Sequence, residues 1–261
     1  MQRVSGVLKV NHDWIQTRAL KRSSGNISSR KPSSRGYPRQ SLHGQVVHEL
    51  GRRIVGGEIG AGVVLPNEAE LGASFDISRT ALREGIKVLT AKGLLASRTR
   101  TGTWVRPRCE WNMLDPDVLA WRLGGEQTAG FCRDLIEFRL AVEPQAASLA
   151  ARRADRQDVL SLEQALQDML EAGEHTFAAI EPALRFHQGI LLASGNEILA
   201  SLGALVETAL MMDFQLVSTL QKPLTVTGAA DAFARQISVL KAIKARHPDR
   251  ARDAMTAVLT A

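Results

Sequence analysis

The chain is short of the residue types that mark several classes of protein. It has only two cysteines and one tyrosine among 261 residues, and aromatic residues make up 5%. Two cysteines cannot build a disulfide framework or a cysteine-rich metal cluster, so we expect a reducing compartment, namely the cytoplasm. No apolar run approaches the ~18 residues of a membrane span, and the N-terminus lacks the apolar core of a secretory signal. We therefore expect no membrane partner.

Motifs that carry catalysis are also lacking. The sequence contains no GxSxG, no nucleotide-binding P-loop, no HExxH and no CxxC. The glycine-rich stretch GGEIGAG follows a predicted helix and lacks the glycine spacing of a dinucleotide-binding turn. His175 and His187 have no catalytic partners nearby in the sequence. These observations predict that the protein is not an enzyme.

Positive charge is concentrated at the front of the chain, although the formal net charge is only +6. Residues 1–40 contain nine Lys or Arg and one acid, and residues 41–108 contain ten Lys or Arg and six acids. Residues 109–261 contain fourteen Lys or Arg and twenty acids. A basic N-terminal part and an acidic C-terminal part indicate that the N-terminal part binds a polyanion and that the C-terminal part does not.

The first forty residues allow two interpretations. They are rich in Arg, Lys and Ser and carry only a weak helical pattern. They are either a cationic arm that adds nonspecific DNA affinity or a disordered extension that contributes no function. We favour a basic, disordered extension over residues 1–40.

Two short helices are predicted next. Residues 45–55 form the first, and one face of it is apolar: Val46, Val47, Leu50 and Ile54. Several glycines then break the chain. Asn67 can cap a second helix over Glu68–Phe75, and Asp76-Ile77 is the turn that follows.

The third predicted helix has two distinct faces. It begins at Ser78, with Asp76 or Ser78 as its N-cap. Its apolar stripe has the spacing i, i+4 and i+7: Leu82, Ile86 and Leu89. Another face carries cations that repeat every four residues: Arg79, Arg83 and Lys87. Such a helix can pack on a small core while its cations meet phosphates and base edges.

A basic β-hairpin is predicted after this helix, which Gly93 ends. The stretches Leu94–Ser97 and Thr103–Val105 have strand patterns, and Arg98–Gly102 is a basic turn between them. Three helices followed by a hairpin wing make a winged helix-turn-helix.

Several sequence blocks in this region carry a family resemblance. "LPNEAEL", "ISRTALREGIKVL", "AKGLL" and "RTGTWV" closely resemble the DNA-binding half of GntR-type bacterial transcription regulators, over about residues 41–107. The resemblance implies a recognition helix in the major groove and a wing tip in the minor groove. The residues it assigns to DNA contact are Arg79, Thr80, Arg83, Arg100, Thr101 and Gly102. The position of the cations on the helix and the wing adds Ser78, Lys87 and Arg98 as candidates. The chain departs from the pattern at Ala69, where many relatives have an arginine.

The rest of the chain is helical in pattern. Residues 107–116 are the candidate linker. In the predicted domain division, the linker together with the helix after it spans residues 108–128, and a helical domain spans residues 129–261. The predicted helices are Asp117–Leu123, Ala129–Arg153, Arg156–Ala172, Ile180–Ala193, Asn196–Ser218, Ala230–Ala245 and Pro248–Leu259. An antiparallel all-α bundle satisfies this pattern. The fold class is therefore mainly α, with a small β-hairpin wing in the N-terminal part.

A second resemblance covers the helical part. "DLIEFRLAVEPQAASLAARRA" and "FHQGILLASGNEIL" resemble the FCD effector-binding domain of the FadR subfamily of GntR regulators. The preceding stretch "WNMLDPDVLAWRL" looks like repressors of sugar-acid catabolism, above all the galactonate-responsive type. The resemblance implies a homodimer whose helical body takes a small carboxylate.

Metal-binding members of this subfamily use an Asp and three His. His187 matches the first histidine, but the position four residues earlier is Ala183, and the last histidine aligns with Gln236. The middle histidine would fall near Phe214. Since one ligand of four survives, we predict no cofactor and either no tight Zn²⁺ or Ni²⁺ site or a site rebuilt from other residues.

The candidate effector-binding residues are Arg139, His187 and Gln236. Arg139 fits an inward-facing arginine that grips a carboxylate, and it equally fits an ion pair with Glu143 or Glu137. His187 is either a ligand contact or a core histidine bonded to a neighbour. Met211 and Met212 fit either a core or an apolar ligand.

These observations together predict a sequence-specific transcription regulator. We expect a repressor of carbohydrate-acid catabolism that binds a palindromic double-stranded operator as a homodimer and is released by a small carboxylate such as a sugar acid. The alternative is a ligand-blind DNA-binding dimer whose helical domain only mediates assembly.

Overall fold

A computed structural model describes Tyr37 and residues 41–123, 128–173, 177–220 and 226–260. The prediction of a disordered extension over residues 1–40 therefore lies outside the described residues, apart from Tyr37. The chain divides into two compact units, residues 1–126 and residues 127–261. Among the described residues, no helix is both long and apolar enough to cross a membrane.

The first unit begins with helix α1, which spans Leu42–Val55. It starts three residues before the predicted position, because the Ser41 side chain accepts a hydrogen bond from the Gly44 amide and caps it. The predicted apolar face is buried in the core of this unit, as expected: Val46, Val47, Leu50 and Ile54.

Helix α2 spans Glu68–Phe75, as predicted, and Asn67 Oδ1 caps it by accepting from the amides of the second and third helical residues. Asp76 then takes the left-handed conformation with φ 53°, which reverses the chain. Ser78 is the N-cap of helix α3, which spans Arg79–Ala91, so the structure selects one of the two predicted caps. Leu82 and Leu89 are fully buried on this helix.

The wing is an antiparallel pair of strands, β1 over Leu95–Arg98 and β2 over Gly102–Val105. Leu94 was wrongly placed in the first strand. It belongs to the helix end, because its amide donates to Leu89 O while Gly93 takes φ 78°. The sequence also did not predict that the chain before α2 would pair with β2, where Leu65 N donates to Thr103 O at 2.7 Å.

The segment that read as a linker packs onto the first unit. Helix α4 spans Pro116–Leu123 and lies against α1, where Val118 and Trp121 join the same core. Gly51 of α1 makes room for this packing, since a Cβ there would lie 2.4 Å from the Trp121 ring. The buried Trp111 donates its indole N–H to Arg106 O.

The second unit is a helical bundle. Its helices are α5 (Thr128–Arg153), α6 (Arg156–Ala172), α7 (Phe177–Ala193), α8 (Glu197–Ser201), α9 (Gly203–Leu220), α10 (Val226–Lys244) and α11 (Pro248–Leu259). Its core is lined mainly by small and branched side chains from α5, α6, α7, α9, α10 and α11. The fold class prediction, a mainly α chain with a winged head and a helical bundle, is confirmed.

Some predicted bounds in this unit are wrong. The single helix expected over Asn196–Ser218 is two helices, because Asn196 caps α8 with its side chain and Leu202 interrupts the helical turn. Gln188 of α7 donates to Gly203 O at this break. Helix α7 begins three residues earlier than predicted and α10 four residues earlier, because the small residues in the two first turns add little to the apolar periodicity: Ala178, Ala179, Gly228 and Ala229.

Candidate functional site

The cationic face of α3 points away from the core of the first unit. Arg79, Thr80, Arg83 and Lys87 are all exposed, and so is the capping Ser78. On the opposite face the two buried leucines hold the helix against the core, and Gly85 is buried beside Val46 of α1. The helix can therefore present its cations to a nucleic acid without losing its core contacts.

Two of these cations are already paired with acids. Arg83 Nε donates to Glu68 Oε2 at 2.7 Å, and Lys87 Nζ donates to Glu84 Oε1 at 2.7 Å. All four side chains are largely exposed. Exposed pairs of this kind contribute about 0–1 kcal/mol each to folding stability.

The wing tip carries a second group of exposed cations. Arg98 ends β1 opposite Gly102, which begins β2, and both Arg100 and Gly102 have positive φ, at 70° and 89°. The tight turn exposes Arg98, Arg100 and Thr101 together. Within the described residues, no ion pair involves Arg79, Arg98 or Arg100. These arginines are therefore available to phosphate oxygens and base edges.

Two residues of this surface were missed by sequence reasoning. Glu84 was detectable, because it precedes Lys87 by three positions on one helix. Glu68 was not detectable, because it lies on α2, fifteen positions before the Arg83 that it binds. Ala69, the departure from the family pattern, is exposed on α2 next to Glu68.

A buried charge cluster lies in the second unit. Arg139 and Glu143 belong to α5 and His187 to α7, and their exposed fractions are 6%, 1% and 2%. Arg139 Nε donates to Glu143 Oε1 at 2.6 Å. His187 Nδ1 lies 2.5 Å from Glu143 Oε2 and is the donor there, because a carboxylate can only accept. Arg139 Nη2 lies 3.5 Å from the same nitrogen.

The carboxylate of Glu143 stays ionised in this cluster. Burial acts to raise the pKa of Glu143, but the charge and hydrogen bond of His187, and then those of Arg139, outweigh burial. The pKa therefore lies below the ordinary value of 4.5. Of the two alternatives for Arg139 and for His187, the structure shows the internal partner in each case.

The other candidate residues of this unit lie on different helices. Gln236 is half-buried on α10, Met212 is buried on α9, and Met211 is half-buried. The side chain of Phe214 lies outside the described residues. Within the described residues, no hydrogen bond joins Gln236 to Arg139 or His187.

The residues around His187 do not fit a tight divalent-metal site. Ala183 is buried one turn before His187 and offers no donor atom. In the described part of the chain, no group of three His, Cys, Asp or Glu side chains could hold a metal ion. Glu143 already occupies His187 Nδ1. The absence of a resident metal stays a prediction.

The fold and these surfaces define a class of protein, a winged helix-turn-helix regulator with an attached helical domain. The chain belongs to the GntR family of bacterial transcription regulators. Residues 42–105 match the family described as bacterial regulatory proteins, gntR family, and residues 134–261 match the FCD domain. It is therefore a DNA-binding transcription regulator with an FCD effector domain and not an enzyme.

Two curated relatives from Escherichia coli support the assignment. The chain is 35% identical over 164 residues to the galactonate operon transcriptional repressor. The matched region covers 63% of this chain and 72% of that protein. It is 36% identical over 162 residues to YieP, an uncharacterized helix-turn-helix transcriptional regulator, covering 61% of this chain and 70% of that protein. A solved structure of Lar from Listeria monocytogenes has the same fold, with a TM-score of 0.57 and 17% identity. The match covers 85% of this chain and 95% of that structure.

Proposed function

We propose that the protein represses genes of carbohydrate-acid catabolism and is released from DNA by a small carboxylate. The observation that carries this proposal is an exposed cationic recognition helix and wing in one unit, joined in one chain to an FCD domain with a buried arginine. The relative named as a galactonate operon repressor supports the sugar-acid class. Since the partner is chromosomal DNA, the protein acts in the cytoplasm.

DNA binding is assigned to residues 41–107, linkage to residues 108–128 and effector binding with dimerisation to residues 129–261. Two copies present two recognition helices, so the operator is a palindrome with one half-site per major groove. The contacts come from the α3 residues Ser78, Arg79, Thr80, Arg83 and Lys87, and from the wing residues Arg98, Arg100, Thr101 and Gly102. Residues 1–40 are a basic extension to this head.

The effector occupies the helical domain and is held by Arg139, His187 and Gln236. A guanidinium binds a carboxylate through two parallel hydrogen bonds, which favours an acid over a neutral sugar. The effector can release DNA only if it binds one arrangement of the heads more tightly than the other. A difference of a few kcal/mol between the two arrangements is enough.

The alternative function is a ligand-blind dimer, and one observation favours it. Glu143 already satisfies Arg139 and His187, so the buried arginine has an internal carboxylate in place of an external one. In this alternative the helical domain only assembles the two heads.

Selection of DNA from the protein's own genome tests the proposal. Purified protein should enrich a small set of palindromic fragments, next to genes for sugar-acid uptake or breakdown. Arg79→Ala should lose this enrichment while its melting temperature stays unchanged, because Arg79 is exposed and lies outside the core. Enrichment of the same fragments by Arg79→Ala would remove the recognition face from the proposal.

A further inference from the structure

Glu68 provides a fixed hydrogen-bond acceptor beside the recognition helix. It is the first residue of α2, directly after the capping Asn67, whose side chain accepts from the amides of Ala69 and Glu70. The helix is anchored by the buried Leu71 and Gly72, and a Cβ on Gly72 would lie 3.3 Å from Ile77 O. The backbone that carries Glu68 is therefore held firmly against the turn before α3.

The Glu68 carboxylate restricts the Arg83 side chain. It accepts from Nε, the nitrogen nearest the aliphatic stem, at 2.7 Å. Because the guanidinium is planar, a bond at Nε sets the plane of the whole group, while the two terminal nitrogens keep donors for another partner. The pair is exposed, with side-chain exposures of 63% and 42%, so it contributes little to folding stability.

The same carboxylate opposes DNA binding in general. Any duplex brings phosphates close to α3, and a negative charge on the neighbouring helix repels them. Glu84 does the same through its pair with Lys87. An acid that lowers general affinity can raise specificity only if it improves the fit to one sequence over others.

We propose that Glu68 is a positioning residue for sequence discrimination: it holds the Arg83 guanidinium in one plane toward the duplex and so raises specificity at the expense of general affinity. The proposal rests on the proposed DNA contact of Arg83. It has added weight in this chain, because Ala69 cannot contribute the arginine found there in many relatives. Fewer cations remain to read the half-site, and the orientation of Arg83 matters more.

Glu84 supplies a matched control. It carries the same charge, is exposed on the same recognition helix, and pairs with a lysine three positions later. A lysine ammonium is a point charge without a plane, so its partner cannot orient it as a carboxylate orients a guanidinium. Removal of Glu84 changes the charge near DNA without changing the orientation of Arg83.

The experiment compares Glu68→Ala, Glu68→Gln and Glu84→Ala with the wild type, using full-length protein. The measured quantities are the Kd for a selected operator fragment, the Kd for a scrambled duplex of equal length, and the melting temperature. All three variants should bind the scrambled duplex more tightly. Glu68→Ala should lower the operator-to-scrambled affinity ratio about fivefold to tenfold, on the scale of one lost directional base contact. Glu84→Ala should leave the ratio unchanged.

Glu68→Gln separates orientation from charge. Its amide oxygen still accepts from Arg83 Nε, so the ratio should stay within about twofold of wild type while the general affinity rises. An unchanged ratio in Glu68→Ala overturns the proposal, and so does an equal fall of the ratio in Glu84→Ala. Glu68 has a structural role instead if Glu68→Ala and Glu68→Gln both lower the melting temperature and weaken binding to the operator and to the scrambled duplex. If the wild type itself prefers no genomic fragment, the proposed function fails, and the role of Glu68 fails with it.

Discussion

Lys92 Nζ lies 2.7 Å from Asp117 Oδ2, and this contact ties the end of the recognition helix to the helix that follows the wing. Lys92 is the C-cap of α3, and Asp117 lies in the first turn of α4. Asp115 also accepts from Lys92 at 2.8 Å, and it caps α4 by accepting from the amide of Asp117. Tyr37 N donates to the same Asp117 oxygen, so the chain before α1 joins this cluster.

The Lys92 ammonium is charged although it is buried. Burial acts to lower the pKa of Lys92, but the hydrogen bonds and charges of Asp115 and Asp117 raise it above its ordinary value. The side chains of the three residues are 10%, 18% and 6% exposed. Through this cluster α4 is tied to the end of α3 within the first unit.

Lys92→Met should destabilise the first unit by about 3–5 kcal/mol, because it leaves the buried Asp117 and the half-buried Asp115 without their cation. All four tryptophans lie at or before position 121, so intrinsic fluorescence during urea unfolding reports on this unit. Lys87→Met is the control and should change stability by less than about 1 kcal/mol, because its ion pair is exposed. Equal effects of the two substitutions would contradict the structural role of Lys92.

Glu143→Gln should change how the stability of the second unit depends on pH. The pKa of Glu143 is lowered in the folded state, so its stabilising contribution is complete above the unfolded value of about 4.5 and is lost as pH falls through the folded pKa. At pH 7 the variant should be less stable by about 3–5 kcal/mol, since Arg139 loses a buried anion. The difference should shrink below pH 4.5.

Circular dichroism at 222 nm follows this transition, because most of the described helical residues lie in the second unit. Glu163→Gln is a suitable control, since Glu163 forms an exposed pair with Lys244. That control should stay within about 1 kcal/mol of the wild type at every pH. A constant gap between Glu143→Gln and the wild type from pH 7 to pH 3 would show that Glu143 is not ionised in the folded protein.

Sugar acids should raise the melting temperature and weaken operator binding through Arg139. A ligand at a hundred times its Kd stabilises the folded state by about 2.7 kcal/mol, which a thermal-shift assay detects. Arg139→Gln should lose both effects. Arg185→Gln should keep them, because Arg185 is an exposed cation of the same unit and pairs with Asp168. If a panel of sugar acids and other carboxylates moves neither quantity, the ligand-blind alternative is correct.

The purified protein should contain much less than one equivalent of Zn²⁺ or Ni²⁺. The resemblance places two family ligands at Ala183 and Gln236, and Glu143 occupies one nitrogen of His187. Elemental analysis after dialysis measures the metal content directly. One tightly held ion per chain would contradict this prediction and point to a site rebuilt from other side chains.

Local patterns in the sequence predicted much of the first unit. The bounds of α2 follow from Asn67 as a cap, and the buried faces of α1 and α3 follow from apolar residues at helical spacing. The end of α3 follows from Gly93, whose positive φ an L side chain rarely adopts. These features depend on residues a few positions apart, so they can be read without knowledge of the fold.

Contacts between distant residues were beyond this kind of reading. The partner of Arg83 is fifteen positions away, that of Lys92 twenty-five positions away, and that of His187 forty-four positions away. Each of these residues has several acids at suitable distances along the chain. Which acid reaches it depends on how the helices pack, and helix spacing alone contains no information about packing.

The amino-acid sequence alone determined that a cationic helix and a basic wing stand on an apolar core, because side-chain periodicity and capping are properties of the local chain. Tertiary structure decided that Arg83 pairs with Glu68 of another helix, and that His187 of α7 also binds Glu143. The physical reason is that burial and charge pairing depend on the distance in space between groups on different helices, which is set only when the helices pack.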